Sequence, residues 1–141
     1  MKVSEKVLVA ETKNIDAAHL KLMLERSGCE TEIVKSSSDL LNRLEHNRYL
    51  FIVMNEELQN IDGAETVRKI RQIEENSENN VRVPILGLTS YSLPARKREF
   101  QESGIDYCLS KPVYKNTLNK VLAEILEKKH GNVSPSTDSN T

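Results

Sequence analysis

Short apolar runs alternate along this chain with longer amphipathic stretches, and the short runs predict strands. The strongest run is YLFIVM at 49–54, whose six consecutive apolar residues indicate a strand buried on both faces of a sheet. A shorter run, VLVA at 7–10, predicts a second buried strand, and PILGL at 84–88 predicts a third. Weaker patterns predict strands at 106–110 and at 30–35, where the residues alternate as they do in an edge strand.

Apolar residues recur at helical spacing after each predicted strand. The first helix can begin with Asn14 as its cap and end at Gly28, and Ser36 to Ser38 supply candidate caps for the second helix. Two further helices are predicted over 94–103 and 116–129. The remaining helix, the third along the chain, carries its apolar residues at Ala64, Val67, Ile70 and Ile73.

The order of these elements predicts the fold class. A strand followed by a helix, five times over, implies parallel strands joined by right-handed crossovers, with helices on both faces of the sheet. We therefore expect an α/β sandwich of the (βα)5 type, with no antiparallel strand within residues 5–110. The first, third and fourth strands should be the most buried. In such a sheet the working site lies at the carboxyl ends of the strands.

Composition narrows the classes of function. The chain of 141 residues has the size of one domain, and its 20 basic and 21 acidic residues leave a net charge of −1. Neither nucleic acid nor a membrane surface is therefore an expected partner. The two cysteines, Cys29 and Cys108, and the lack of a long apolar run favour a cytoplasmic protein. The domain is predicted to span 1–129, with 130–141 as a disordered tail or linker.

Polar residues follow four of the predicted strands directly, and the fold should gather them in one crevice. They comprise one acid, one amide, several hydroxyls and one lysine. Because no GxxxxGK[ST], GxGxxG or GxSxG motif is present, a nucleotide-binding enzyme and a serine hydrolase are both disfavoured. The residues at the strand ends are Glu11, Thr12, Asn55, Thr89, Ser90, Lys111 and Pro112.

Four stretches resemble the receiver domain of two-component response regulators, over residues 5–129. They read VLVAETKN, YLFIVMNEELQNIDG, VPILGLTSYS and GIDYCLSKPV, and the Lys-Pro pair after the last strand is the most specific mark. The resemblance implies a flavodoxin-like doubly wound sheet with strand order 2-1-3-4-5. It also implies phosphoryl transfer from a partner's phosphohistidine to an aspartate after the third strand. Two acids after the first strand would hold Mg²⁺, while a hydroxyl and a lysine after the later strands hold the phosphate oxygens.

This chain departs from the family pattern at the positions that carry the chemistry. Asn55 stands at the phosphoacceptor position, and a neutral carboxamide is a poor nucleophile that cannot form an acyl phosphate. Thr12 replaces the second metal-binding acid, so Glu11 is a vestigial ligand and Mg²⁺ is expected to bind weakly or not at all. Cys108 replaces the aromatic residue of the switch position, and Gln59 replaces a proline of the loop. The matching residues that remain are Thr89, Lys111 and Pro112.

Two hypotheses follow from these departures. In the first, the chain is a degenerate receiver, or pseudo-receiver, that belongs to or works alongside a hybrid histidine kinase and is not itself an enzyme. It would bind a sensor histidine kinase or a phosphotransfer domain through its fourth helix, fifth strand and fifth helix. It could also be the cytoplasmic part of a membrane-bound sensor kinase, and Lys111 should lie over Asn55 and approach Glu11 as a structural tie. The alternative is a working receiver that carries an Asp-to-Asn change at Asn55.

Overall fold

Strands and helices alternate in the computed structural model, which describes residues 2–3, 6–78, 81–90 and 93–129. The principal strands are β1 (Val7–Ala10), β2 (Thr31–Val34), β3 (Phe51–Asn55), β4 (Ile85–Thr89) and β5 (Tyr107–Ser110). The helices are α1 (Asn14–Arg26), α2 (Ser37–His46), α3 (Gly63–Glu75), α4 (Pro94–Glu102) and α5 (Lys115–Lys129). The predicted tail, 130–141, lies outside the described residues. Among the described helices, none combines the length and the apolar character that crossing a membrane requires.

The five principal strands form one parallel sheet in the order 2-1-3-4-5, which confirms the predicted fold. Every residue of β1, β3 and β4 is buried, whereas the edge strands β2 and β5 are partly exposed. Leu24 of α1 and Leu122 of α5 pack on one face of the sheet. Leu40, Val67 and Phe100, from α2, α3 and α4, pack on the other. The central strands are therefore covered on both sides, as their uninterrupted apolar runs require.

Local residue chemistry sets where several helices start and stop. Of the three candidate serines, Ser36 caps α2, since its hydroxyl accepts a hydrogen bond from the backbone N–H of Asp39 at 3.1 Å. Gly28 follows α1 with a φ of 94°, a left-handed conformation that suits glycine. The predicted cap of α1 is wrong, because Asn14 is its first helical residue and Lys13 occupies the cap position without a side-chain bond.

The loop between β3 and α3 contains a small hairpin that the sequence did not predict. Glu57–Leu58 pairs with Ile61–Asp62 in antiparallel fashion, so the expectation of no antiparallel strand within 5–110 is wrong. The two turn residues, Gln59 and Asn60, have φ angles of 49° and 68°, the positive values of a type I′ hairpin turn. A proline at position 59 could not adopt this turn, because its ring fixes φ near about −65°.

The first and the last described residues both lie at the end of the sheet where its strands begin. Lys2–Val3 pairs in parallel with Asn47–Arg48, just before β3. The last turns of α5 reach the same end, where Ile125 lines a cavity of about 620 Å³ together with Leu50 and Tyr107. The carboxyl ends of the strands, where the site was predicted, therefore lie at the opposite end of the sheet.

Candidate functional site

The adjacent carboxyl ends of β1, β3 and β4 bring three predicted site residues into one crevice. Glu11 follows β1, while Asn55 and Thr89 are the last residues of β3 and β4. The exposed fractions of these residues are 0%, 8% and 1%, so the floor of the crevice is buried. The backbone N–H of Lys111 donates to the carbonyl oxygen of Thr89 at 2.9 Å, and this bond sets Lys111 beside the other three residues.

Lys111 forms an ion pair with Glu11, as the sequence predicted. Its Nζ lies 3.2 Å from Glu11 Oε1 and 3.6 Å from Asp16 Oδ2. The other carboxylate oxygen of Glu11 accepts hydrogen bonds from the backbone N–H groups of Thr12, at 2.9 Å, and Lys13, at 3.4 Å. No hydrogen bond joins Lys111 to Asn55, whose Oδ1 has no partner among the described residues. Two carboxylates attract the ammonium more strongly than a neutral amide oxygen does.

Asn55 places a neutral amide at the centre of the crevice. Its Nδ2 donates to the backbone carbonyl of Glu57 at 3.1 Å, which turns the side chain toward its own loop. Its Oδ1 is buried and has no hydrogen-bond partner within the described part of the chain. The group carries no charge and no nucleophilic oxygen comparable to a carboxylate.

Thr12 and Cys108 complete the set of residues singled out from the sequence. Thr12 is half-buried and contributes its backbone N–H to Glu11, with no hydrogen bond from its hydroxyl recorded among the described residues. Cys108 lies on β5 beside Gly87 and packs against the core on the α2, α3 and α4 face. Burial raises the pKa of the Cys108 thiol, so the thiol is protonated at neutral pH. Cys108 therefore acts as a small core residue.

Sequence reasoning missed two acidic residues of the site, Asp16 and Glu56. Glu56 is only 7% exposed, and its carboxylate accepts hydrogen bonds from the backbone N–H of Ser90 and, at 2.8 Å, from the Ser90 hydroxyl. The available signal for Glu56 was a charged residue directly after the last residue of β3. Asp16 lies beside Glu11 at Lys111, so two carboxylates contact the one ammonium.

A doubly wound parallel sheet with a lysine, a hydroxyl and acids at its carboxyl edge defines a class of receiver-like signalling domains. The chain belongs to the response regulator receiver domain family, whose sequence model matches residues 7–123. The resemblance found in the four sequence stretches is thereby confirmed.

Histidine kinases are among the similar sequences. The peroxide stress-activated histidine kinase mak3 of Schizosaccharomyces pombe is 33% identical over 127 residues, which cover 88% of this chain and 5% of the kinase. The sensor histidine kinase RcsC of Salmonella typhimurium is 30% identical over 122 residues, 86% of this chain and 12% of the kinase. The chain thus spans only a small part of these relatives.

Solved receiver domains share the fold. The receiver domain of the sensor histidine kinase PA1611 from Pseudomonas aeruginosa, with a magnesium ion in its active-site cleft, is 26% identical at a TM-score of 0.77. The match covers 88% of this chain and 98% of that one. The receiver domain of Ssk1 from Saccharomyces cerevisiae, crystallised with the phosphotransfer protein Ypd1, is 25% identical at a TM-score of 0.75. That match covers 86% and 88% of the two chains.

The residues of this crevice do not fit the magnesium ion that the family implies. Mg²⁺ requires six oxygen ligands in near-octahedral geometry, usually including one or two carboxylates. Both oxygens of Glu11 are engaged, one by Lys111 Nζ and one by backbone N–H groups. Both oxygens of Glu56 are engaged by Ser90. Across the described ranges, no three acidic, histidine or cysteine side chains cluster closely enough to hold a metal.

Proposed function

We propose that this receiver does not accept phosphate and acts through protein contact in a phosphorelay, within or alongside a hybrid histidine kinase. The observation that carries the proposal is Asn55 at the end of β3, because a carboxamide cannot form the acyl phosphate that an aspartate forms. The amide is also committed to the carbonyl of Glu57. The histidine kinases among the relatives support the setting.

A phosphorylation assay separates this proposal from a working receiver that carries a single Asp-to-Asn change. The unaltered chain, Asn55→Asp, and Asn55→Asp combined with Thr12→Asp are incubated with acetyl phosphate and Mg²⁺, and intact mass reports the adduct. We expect the adduct only in the double variant, since the crevice lacks an acid at both positions. An adduct on Asn55→Asp alone would favour the alternative, and an adduct on the unaltered chain would overturn the proposal. Circular dichroism verifies that both variants are folded.

Weak magnesium binding is part of the same proposal. Because Lys111 already neutralises Glu11 and no second acid stands at Thr12, we expect a dissociation constant in about the millimolar range or no binding. Isothermal titration calorimetry with MgCl₂ measures this directly, and the Thr12→Asp, Asn55→Asp double variant is the positive control. Micromolar affinity in the unaltered chain would contradict the expectation.

The proposed partner is a sensor histidine kinase or a phosphotransfer domain that binds the surface of α4, β5 and α5. Two large apolar side chains support this surface, because Leu93 before α4 is 61% exposed and Tyr114 before α5 is 67% exposed. The Ssk1 receiver was crystallised with the phosphotransfer protein Ypd1, which supports the kind of partner. The domain itself is proposed to be a cytoplasmic binding module, not an enzyme, with no role in nucleic-acid binding.

Replacing one exposed leucine at a time tests this surface. Leu93→Asp should weaken binding to the phosphotransfer or kinase domains of the source cell by about tenfold or more, since it places a charge in the apolar contact. The same change supplies a favourable cap to α4, so unfolding would not explain the loss. Leu22→Asp, on the exposed side of α1 with 48% exposure, is the matched control. If Leu22→Asp weakens partner binding and Leu93→Asp does not, the binding surface lies on α1 instead.

A further inference from the structure

Glu56 joins three parts of the chain that meet beside the crevice. Its carboxylate oxygens accept the backbone N–H and the hydroxyl of Ser90, the residue that follows β4. Its backbone carbonyl accepts the N–H of Gly63, the first residue of α3, at 2.6 Å. One buried residue after β3 therefore links the start of α3 to the end of β4.

The backbone N–H and the hydroxyl of Ser90 are two hydrogen-bond donors that can bind an anionic oxygen. A backbone N–H and a hydroxyl from the same residue converge on one carboxylate, and hydrogen bonds to a charged acceptor are about twice as strong as neutral ones. Glu56 is 7% exposed, so water competes little for these bonds. The donors at the end of β4 are thus already bound to an anion of the same chain, the Glu56 carboxylate.

The helix that follows Ser90, α4, packs against glycines of β4 and α3. Phe100 of α4 is fully buried, and a Cβ added at Gly87 or Gly63 would come within 2.7 Å or 3.0 Å of its ring. A Cβ at Gly63 would also come within 2.6 Å of the Glu56 carbonyl oxygen. The inner side of α4 therefore fits closely on β4 and on the start of α3.

The charge of Glu56 also acts on Cys108 of β5. Burial raises the pKa of the Cys108 thiol, the charge of Lys97 and a hydrogen bond with Gln101 lower it, and the charge of Glu56 raises it further. Lys97 and Gln101 belong to α4, and Cys108 belongs to β5. The Cys108 thiol therefore responds both to Glu56 and to two residues of α4.

We propose that Glu56 is a built-in anion that holds the end of β4 and α4 in one arrangement without any phosphoryl group. This inference rests on the proposed function, since it explains how a receiver with Asn55 presents a fixed binding surface. The carboxylate takes the place of an incoming anion at Ser90. The α4 surface is consequently available to its partner at all times.

Amide hydrogen exchange measured by nuclear magnetic resonance tests the proposal. In Glu56→Ala we expect exchange of the Ser90 amide and the first turn of α4 to accelerate by about tenfold or more, while core amides such as Val53 and Leu86 stay unchanged. Glu56→Gln retains an acceptor without the charge and should give an intermediate rate. Glu57→Gln, at the exposed neighbouring position, is the matched control and should have no effect.

The outcomes distinguish this inference from the function on which it rests. If Ser90 exchange in both Glu56 variants stays within about twofold of the unaltered chain, the built-in anion is refuted while the absence of phosphorylation stands. If the core amides accelerate as much as Ser90 does in Glu56→Gln, Glu56 stabilises the whole fold and the local inference is also refuted. A phosphoryl adduct on the unaltered chain would instead refute the proposed function, whatever the exchange data show.

Discussion

Removing the Lys111 ammonium should destabilise the fold, because it would leave the Glu11 carboxylate buried without its cation. The preferred change is Lys111→Met, which keeps the aliphatic stem and removes only the charge and its hydrogen bonds. The Glu11 side chain is 1% exposed and the Lys111 side chain 20% exposed, so water can restore only part of the lost interaction. The pair ties the end of β1 to the residue after β5.

The magnitude follows from the geometry of the pair. At 3.2 Å and an effective dielectric constant of about 20, the gross attraction is about 5 kcal/mol, which desolvation partly offsets. Breaking a fully buried pair costs about 3–5 kcal/mol. Glu11 keeps two backbone N–H donors and Lys111 is partly solvated, so we expect a loss of about 2 kcal/mol, within a range of about 1–3 kcal/mol.

Urea unfolding followed by far-ultraviolet circular dichroism measures this loss, since the chain has no tryptophan for fluorescence. With an m-value of about 2 kcal/mol/M, Lys111→Met should lower the midpoint by about 1 M. A double-mutant cycle with Glu11→Gln isolates the pair, and the coupling energy should be about 1–2 kcal/mol. A midpoint shift below about 0.2 M, or an equal loss in the Glu11→Gln background, would refute the structural tie.

Three further predictions concern positions outside the ion pair. Gly87→Ala should lower stability by about 1–3 kcal/mol and the Tm with it, because the new Cβ would lie 2.7 Å from two ring atoms of Phe100. Gln59→Pro should lower stability by about 1–3 kcal/mol in urea unfolding, because proline cannot adopt the φ of 49° found there. Burial and a hydrogen bond to Glu32 raise the pKa of Tyr49 to about 12, so the contribution of Tyr49 to stability should be constant below pH of about 10 and be lost between about 10 and 12, as alkaline thermal unfolding would report.

Each of these predictions has its own control. Adding Phe100→Leu to Gly87→Ala should recover part of the lost stability, and failure to recover any would contradict the steric explanation. Gln59→Gly should be neutral, because glycine adopts positive φ without strain, so a loss equal to that of proline would contradict the turn argument. In Tyr49→Phe the stability lost between about pH 10 and 12 should largely disappear, and its persistence would assign the loss to another group.

The architecture could be predicted because the signals that set it are encoded locally. The run of six apolar residues at 49–54 and the shorter runs around it are typical of strands covered on both faces, and the structure places β1, β3 and β4 there. The hairpin at 57–62 could not be predicted in the same way. Its turn residues, Gln59 and Asn60, do not form one of the favoured Asn-Gly or Asp-Gly pairs, so the positive φ at Gln59 has no strong sequence signal.

The site was only partly predictable, because strand ends can be read from the sequence but side-chain directions cannot. Glu11, Asn55 and Lys111 were expected in one crevice since parallel strands end at a common edge. The second carboxylate at Lys111 belongs to Asp16, which α1 carries to within 3.6 Å of its Nζ and which the strand ends do not reveal. The role of Glu56 depends on the backbone beyond β3, which turns its carboxylate toward Ser90.

The shared position of the two ends of the described fold has a consequence for building fusions of this domain. Both ends of the described fold lie at the end of the sheet where its strands begin. Lys2–Val3 pairs there with Asn47–Arg48, and Ile125 of α5 lines the cavity at the same end. A fluorescent label or a neighbouring domain joined at either end would start from that end of the sheet, about the length of a five-residue strand away from Lys111. Such attachments leave the crevice and its acidic residues open to approach from the other side.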